Sequence, residues 1–91
     1  MIRRQPRDGG VAVTFVLPAD HPNAPVSVVG SFNDWQPYRN PMRRRPDGSL
    51  QTTVTTHAGT TLRFRYLGAQ GVWFDDQDAD RIDTEGGMLF V

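Results

Sequence analysis

Hydrophobic and polar positions alternate along much of this chain with the period of a strand. In Val11-Ala12-Val13-Thr14-Phe15-Val16-Leu17, the residues Val11, Val13, Phe15 and Leu17 fall on one face, the spacing of a half-buried β-strand. Pro18 ends the run. After the Pro22 to Pro25 loop, Val26-Ser27-Val28-Val29-Gly30 predicts a second strand, stopped by the turn-rich Ser31-Phe32-Asn33-Asp34. Met42 to Arg45 and Leu50 to Thr56 flank Pro46-Asp47-Gly48-Ser49, a hairpin turn in which Pro presets φ and Gly accepts a positive φ. Leu50, Thr52, Val54 and Thr56 share a face of the second arm. Gly59 breaks the chain before Thr61-Leu62-Arg63-Phe64-Arg65-Tyr66-Leu67, where Leu62, Phe64 and Tyr66 point one way and Arg63 and Arg65 the other. Gly68-Ala69-Gln70-Gly71 turns the chain into Val72-Trp73-Phe74, and Gly87 to Val91 supplies the last strand.

No segment carries a helical stripe. Nine glycines and seven prolines are spread along the chain, and the one long stretch without them, Val72 to Glu85, is acidic on every face around Asp75-Asp76-Gln77-Asp78-Ala79-Asp80. Short β-rich runs parted by turn residues predict an all-β sandwich or barrel. Its core is expected to include Val13, Phe15, Val28, Val54, Leu62, Phe64 and Tyr66.

Length and charge narrow the function classes. The 91 residues suit one domain, expected over 11–91 behind an N-terminal arm of residues 1–10. Ten arginines balance ten acids, so no net field drives the molecule onto nucleic acid or an anionic membrane. No apolar run approaches the roughly 20 residues of a bilayer span, and Met1-Ile2-Arg3-Arg4 leads into a polar stretch rather than a signal-peptide core. The expected compartment is the cytoplasm. With no cysteine, disulfides, thiol catalysis and Cys-based zinc sites are excluded, and the core holds by packing.

Catalytic chemistry finds no support. His21 and His57 have no partner at motif spacing, and no Gly-x-Ser-x-Gly element supplies a nucleophile. The six acids from Asp75 to Glu85 sit together on one loop rather than flanking a cleft. Asp76-x-Asp78-x-Asp80 opens like a calcium loop, but the sixth position is Arg81 and the twelfth is Gly87, where calcium needs Gly and a bidentate Glu. A solvated acidic loop, partly balanced by Arg81, is the expectation, with no metal, no cofactor and no enzyme activity. Arg43-Arg44-Arg45 alternates across a strand and reads as an edge cluster that discourages sheet-to-sheet pairing.

The aromatics carry more. Trp35 lies in a turn bounded by Gly30 and Pro37, where a large indole is as readily half-exposed as packed. Trp73 lies just beyond the second hairpin turn, next to Arg63 on the neighbouring strand if that turn is short. Two exposed indoles beside an arginine offer flat apolar faces flanked by hydrogen-bond donors, a surface suited to sugar rings.

At these residues the chain resembles a known family. Val26-Ser27-Val28-Val29-Gly30-Ser31-Phe32-Asn33-Asp34-Trp35, followed by Pro41-Met42, Pro46-Asp47-Gly48, Leu62-Arg63-Phe64-Arg65-Tyr66 and Trp73-Phe74-Asp75-Asp76, is similar to the glycogen-binding domains. This is carbohydrate-binding module family 48, the early-set, immunoglobulin-like module of AMP-activated kinase β subunits and of the N-termini of isoamylases and branching enzymes. The similarity covers about Val11 to Val91 and implies a sandwich of about seven to eight antiparallel strands. It implies a non-catalytic module for α-1,4-glucan chains, with a glycogen-metabolising enzyme as a further partner and neither nucleic acid nor membrane. By the resemblance, Trp35 and Trp73 match the tryptophans that stack on glucose, Arg63 the basic hydrogen-bonding position, and Ile82 and Thr84 an apolar and a Thr position before the last strand. Gly86 departs from the family, falling where an Asn is expected. Loss of that amide removes about 1 kcal/mol of net binding, roughly fivefold, and Gln70 is a nearby amide held in reserve. The alternative is a protein-interaction module of the same fold that has lost sugar binding.

Overall fold

The computed structural model describes residues 1–91 and contains nine strands: β1 (Ile2–Arg7), β2 (Gly10–Pro18), β3 (Ser27–Gly30), β4 (Arg43–Arg44), β5 (Ser49–Thr56), β6 (Thr61–Leu67), β7 (Trp73–Phe74), β8 (Arg81–Asp83) and β9 (Gly86–Phe90). One sheet runs β1-β2-β5-β4. The other runs β3-β6-β9-β8, with β7 also paired to β6. Every pairing is antiparallel, so the chain is an all-β sandwich. No helix is long and apolar enough to cross a membrane.

The period-two faces close on one another as their alternation requires. In the β2–β5 ladder Val13 lies opposite Val54, Phe15 opposite Thr52 and Leu17 opposite Leu50. From the facing sheet come Leu62, Phe64 and Tyr66 of β6 and Val28 of β3, all buried. Phe15 bridges the sheets, its ring centroid 4.9 Å from that of Phe64 at a 53° interplanar angle, and burial of each such side chain contributes about 1.5–3 kcal/mol. Six of the seven expected core residues are buried; Val54 packs against the core but is only partly buried.

Two strands depart from the expectation and raise the count above seven or eight. Residues 1–10 are not an arm: Ile2 to Arg7 pair in register with Phe15 to Gly10, and Ile2 packs against the core. The strand has no sequence signal because it is an edge, with one inward apolar residue, Pro6 tolerated there and charges that discourage further pairing. The second departure is β8, which forms within the expected acidic loop as the edge of the second sheet. The Arg43–Arg44 strand is the opposite edge of the first sheet, as its charge predicted.

Candidate functional site

The turn after β3 is built by a buried amide. Asn33 Oδ1 accepts the Gly30 N–H at 3.0 Å, and its Nδ2 donates to the Val28 carbonyl at 3.0 Å and to Asn40 Oδ1 at 2.9 Å. All three polar positions of the side chain used here are satisfied, which makes a buried Asn favourable rather than costly. Gly30 is required by close approach, since a Cβ there would collide with the Arg63 carbonyl oxygen. The chain then passes through Asp34 and Trp35 with φ of 56° and 58°, the left-handed region that bulky residues avoid. The Trp35 amide donates back to the Gly30 carbonyl at 3.0 Å, and the indole-bearing residue is left 42% exposed. Strained backbone of this kind persists only where neighbours over-determine it, which is the role of Asn33.

Gly30 lies opposite Phe64, and the Arg63 amide donates to Ser31 Oγ at 3.2 Å, so the Trp35 turn sits at the Arg63 end of β6. Trp73 lies opposite Leu67, at the other end, and is 48% exposed. It is therefore not beside Arg63, whose neighbour is Met88 of β9. Alternation still puts both on the face away from the core cluster, which takes in Leu62, Phe64 and Tyr66 but not Arg63, Arg65 or Leu67, although Leu67 is itself buried. Four residues of strand separate Arg63 from Leu67, about 13 Å.

Arg63 is held by a carboxylate that sequence reading missed. Its Nη1 and Nη2 donate to Asp83 Oδ1 and Oδ2 at 2.9 and 3.1 Å, and Glu85 Oε2 lies 3.6 Å from Nη1. The hydrogen bonds from Arg63, then that from the Glu85 amide, hold the Asp83 carboxyl below its ordinary value, and the same pairing raises the guanidinium. Arg65 leans the same way, donating to the Thr84 carbonyl at 2.8 Å, with its Nε 3.4 Å from Asp75 Oδ1. No linear spacing marks Asp83 as a partner, because it reaches Arg63 across the intervening strand β9.

The remaining sequence-predicted positions are dispersed. Thr84 is exposed at the tip of the β8–β9 hairpin. Ile82 is 40% exposed, but it lies opposite Gly87, which lies opposite the inward-facing Phe64; by alternation it belongs to the other side of the sheet from Arg63. Gly86 has φ of 113°, and a Cβ there would come within 2.9 Å of both Arg65 Cγ and the Phe64 carbonyl oxygen. The backbone thus demands glycine where the family resemblance places Asn. Gln70 is exposed in the turn that leads to Trp73.

The acidic segment is solvated only in part, and Arg81, although its charge acts on Asp83, forms no ion pair with it. Asp76 is buried, with Oδ2 accepting the Tyr66 hydroxyl at 2.6 Å and Oδ1 the Asp78 amide at 2.8 Å. Burial, then that bond, pushes the Tyr66 phenol far above its ordinary value. Asp80 pairs with Arg4 at 2.6 Å, Asp75 with Arg65, and Asp76 and Asp78 face the Met1 amine at 3.7 and 3.4 Å. The carboxylates are spread over separate partners. His21 stacks on Phe74, ring centroids 5.0 Å apart, while His57 is exposed.

The structure is a two-sheet β-sandwich with a carboxylate-paired arginine and the half-exposed Trp73 on one sheet and the half-exposed Trp35 in the turn that follows β3 of that sheet. No family model matches the chain. It is similar to the 1,4-alpha-glucan branching enzyme GlgB 2 of Xanthomonas campestris pv. campestris (strain 8004), with 42% identity over 55 residues, 60% of this chain and 7% of the enzyme. It is also 44% identical over 68 residues to the 1,4-alpha-glucan branching enzyme GlgB of Pseudomonas syringae pv. syringae (strain B728a), 71% of this chain and 9% of that protein. A third relative, the enzyme of that name from Bradyrhizobium sp. (strain ORS 278), is 44% identical over 66 residues, 70% of this chain and 9% of the relative. The chain thus spans less than a tenth of the length of these relatives.

Proposed function

We propose that this chain is a non-catalytic module that binds α-1,4-glucan chains, of the carbohydrate-binding family 48 type. One observation carries the reading: Trp35 and Trp73 stand half-exposed at the two ends of the β6 segment whose outer face bears Arg63. Two aromatic platforms set apart in this way suit separate rings of one glucan chain, and the donors of Arg63 suit the hydroxyls between them. The names of the relatives, which are glucan branching enzymes, support the same ligand class. A glycogen-metabolising enzyme is the protein partner that goes with this reading, and the cytoplasm its setting.

Binding is expected to be weak, with Kd between about 10 μM and a few mM, or about −4 to −7 kcal/mol. Each indole gains about 1 to 2 kcal/mol of apolar contact, while a flexible glucan loses freedom and its hydroxyls exchange water for protein at little net gain. Tryptophan fluorescence titration with maltoheptaose or β-cyclodextrin tests the reading. Trp35→Ala and Trp73→Ala should each weaken binding about tenfold or more and Arg63→Ala less, with little change in thermal stability. No saturable change up to about 10 mM sugar, weaker than about −2.7 kcal/mol, overturns it.

The second reading, an interaction module, draws on the outer face of the opposite sheet. There Arg43 and Arg45 border a shallow concavity of about 350 Å³ with Gln51, Thr52 and Thr53, and Arg3 reaches Gln51 Oε1 at 3.2 Å. None of these three arginines is in an ion pair, so the face is free to meet an acidic surface on another protein.

A further inference from the structure

The contact between Asp83 and Arg63 is two-pronged and open to solvent. Asp83 Oδ1 accepts from Arg63 Nη1 and from the Glu85 amide, and Oδ2 accepts from Arg63 Nη2 alone. An ionised carboxylate has roughly four lone-pair sites, so Oδ2 retains acceptor capacity. The guanidinium likewise keeps its Nε–H and a second hydrogen on each terminal nitrogen. The Arg63 and Asp83 side chains remain 30% and 35% exposed, so spare donors and a spare acceptor stand together at the surface, with Glu85 Oε2 3.6 Å from Nη1. Each residue fixes the other's rotamer, and the Glu85 amide fixes Asp83 to the hairpin.

The chemistry of that edge is narrower than the chemistry of an arginine alone. A guanidinium offers only donors and will donate to any acceptor oxygen. Next to a carboxylate it offers a donor and an acceptor together, matching two adjacent hydroxyls, one accepting from Arg63 while its neighbour donates to Asp83. The rung on which Asp83 sits carries no side chain on β9, and the Arg65 side chain lies over that gap on its way to the Thr84 carbonyl. The cross-strand partner of Asp83 is Gly86, where a Cβ would meet Arg65 and the Phe64 carbonyl.

We propose that Arg63 and Asp83 form one donor–acceptor subsite that reads the vicinal 2,3-diol of a glucose unit, with Asp83 as the acceptor that makes the contact selective. The inference rests on the glucan reading above. It assigns recognition of hydroxyl pattern to the arginine–carboxylate pair and leaves apolar contact to the indoles.

The test compares β-cyclodextrin with its 2,3-di-O-methyl derivative, which keeps the sugar backbone but has no 2,3-hydroxyls to donate. Wild type should lose about tenfold in affinity on methylation. Asp83→Ala should bind the parent sugar about five- to tenfold more weakly and lose most of its sensitivity to methylation. Trp73→Ala should weaken both ligands and keep the wild-type ratio. Adding Asp83→Ala to Arg63→Ala should cost little more, as expected of groups acting as a unit. Should Asp83→Ala fail to fold, Asp83→Ser keeps an acceptor for the Glu85 amide and reads the same ratio. If wild type binds β-cyclodextrin but ignores methylation, or if the Asp83 variant keeps the full ratio, the diol subsite is overturned while the glucan reading stands. If wild type binds neither sugar, both fall.

Discussion

Asn33 fixes the backbone at Trp35 through its bonds to other parts of the turn: its buried amide ties Gly30, Val28 and Asn40 together, and the turn so closed carries Trp35 into a positive-φ conformation at the surface. Asn33→Ala leaves a buried N–H and a buried carbonyl without partners, so it should lower folding stability by about 2–4 kcal/mol. Chemical denaturation measures that loss. Glucan titration of the folded fraction should show a weakening at least as large as that of Trp35→Ala, because the platform loses its support.

Gly86 makes a second, sharper prediction. Gly86→Asn restores the residue the family resemblance expects, yet it introduces a Cβ at φ 113° within 2.9 Å of the Arg65 side chain and the Phe64 backbone. Stability should fall by about 2–3 kcal/mol, read as a lower denaturation midpoint, and glucan affinity should not rise. A variant of unchanged stability and tighter binding refutes this account of the hairpin.

The Arg63–Asp83 pair has a pH signature. The folded Asp83 carboxyl lies below the value of 3.8 that an unperturbed Asp would have, because it accepts hydrogen bonds from Arg63 and the Glu85 amide. Its contribution to stability is therefore present above pH 3.8 and is lost as the pH falls through the lower folded value. Asp83→Asn should be slightly less stable than wild type near neutrality, and the two melting curves should converge in strong acid. A constant offset at every pH contradicts the pairing.

Calcium should leave the melting temperature unchanged at low-millimolar ion. Asp76 is committed to Tyr66 and the Asp78 amide, and Asp80 to Arg4 and the Phe90 amide, so a cation would have to displace bonds already made. A calcium-dependent rise of several degrees in a thermal-shift assay is the contrary result.

The strands legible in the sequence are those whose two faces differ. Over Thr61–Leu67 apolar and arginine residues alternate, and the observed strand has those limits. Edge strands β1 and β8 left no such mark, because pairing through the backbone on one side needs little side-chain pattern. The site divided in the same way. Trp35, Arg63 and Trp73 stood out by residue type and by resemblance to a known module. Asp83 did not, since its partner lies across another strand, and the side to which Ile82 belongs depends on the register of an edge strand.

On the glucan reading proposed above, the left-handed backbone at Asp34 and Trp35 also sets how a ligand arrives. A platform whose orientation is settled when the domain folds does not wait for a loop to close around the sugar. Association at Trp35 should then proceed in a single phase, its observed rate rising linearly with glucan concentration, so that differences among glucans are written in how long each stays.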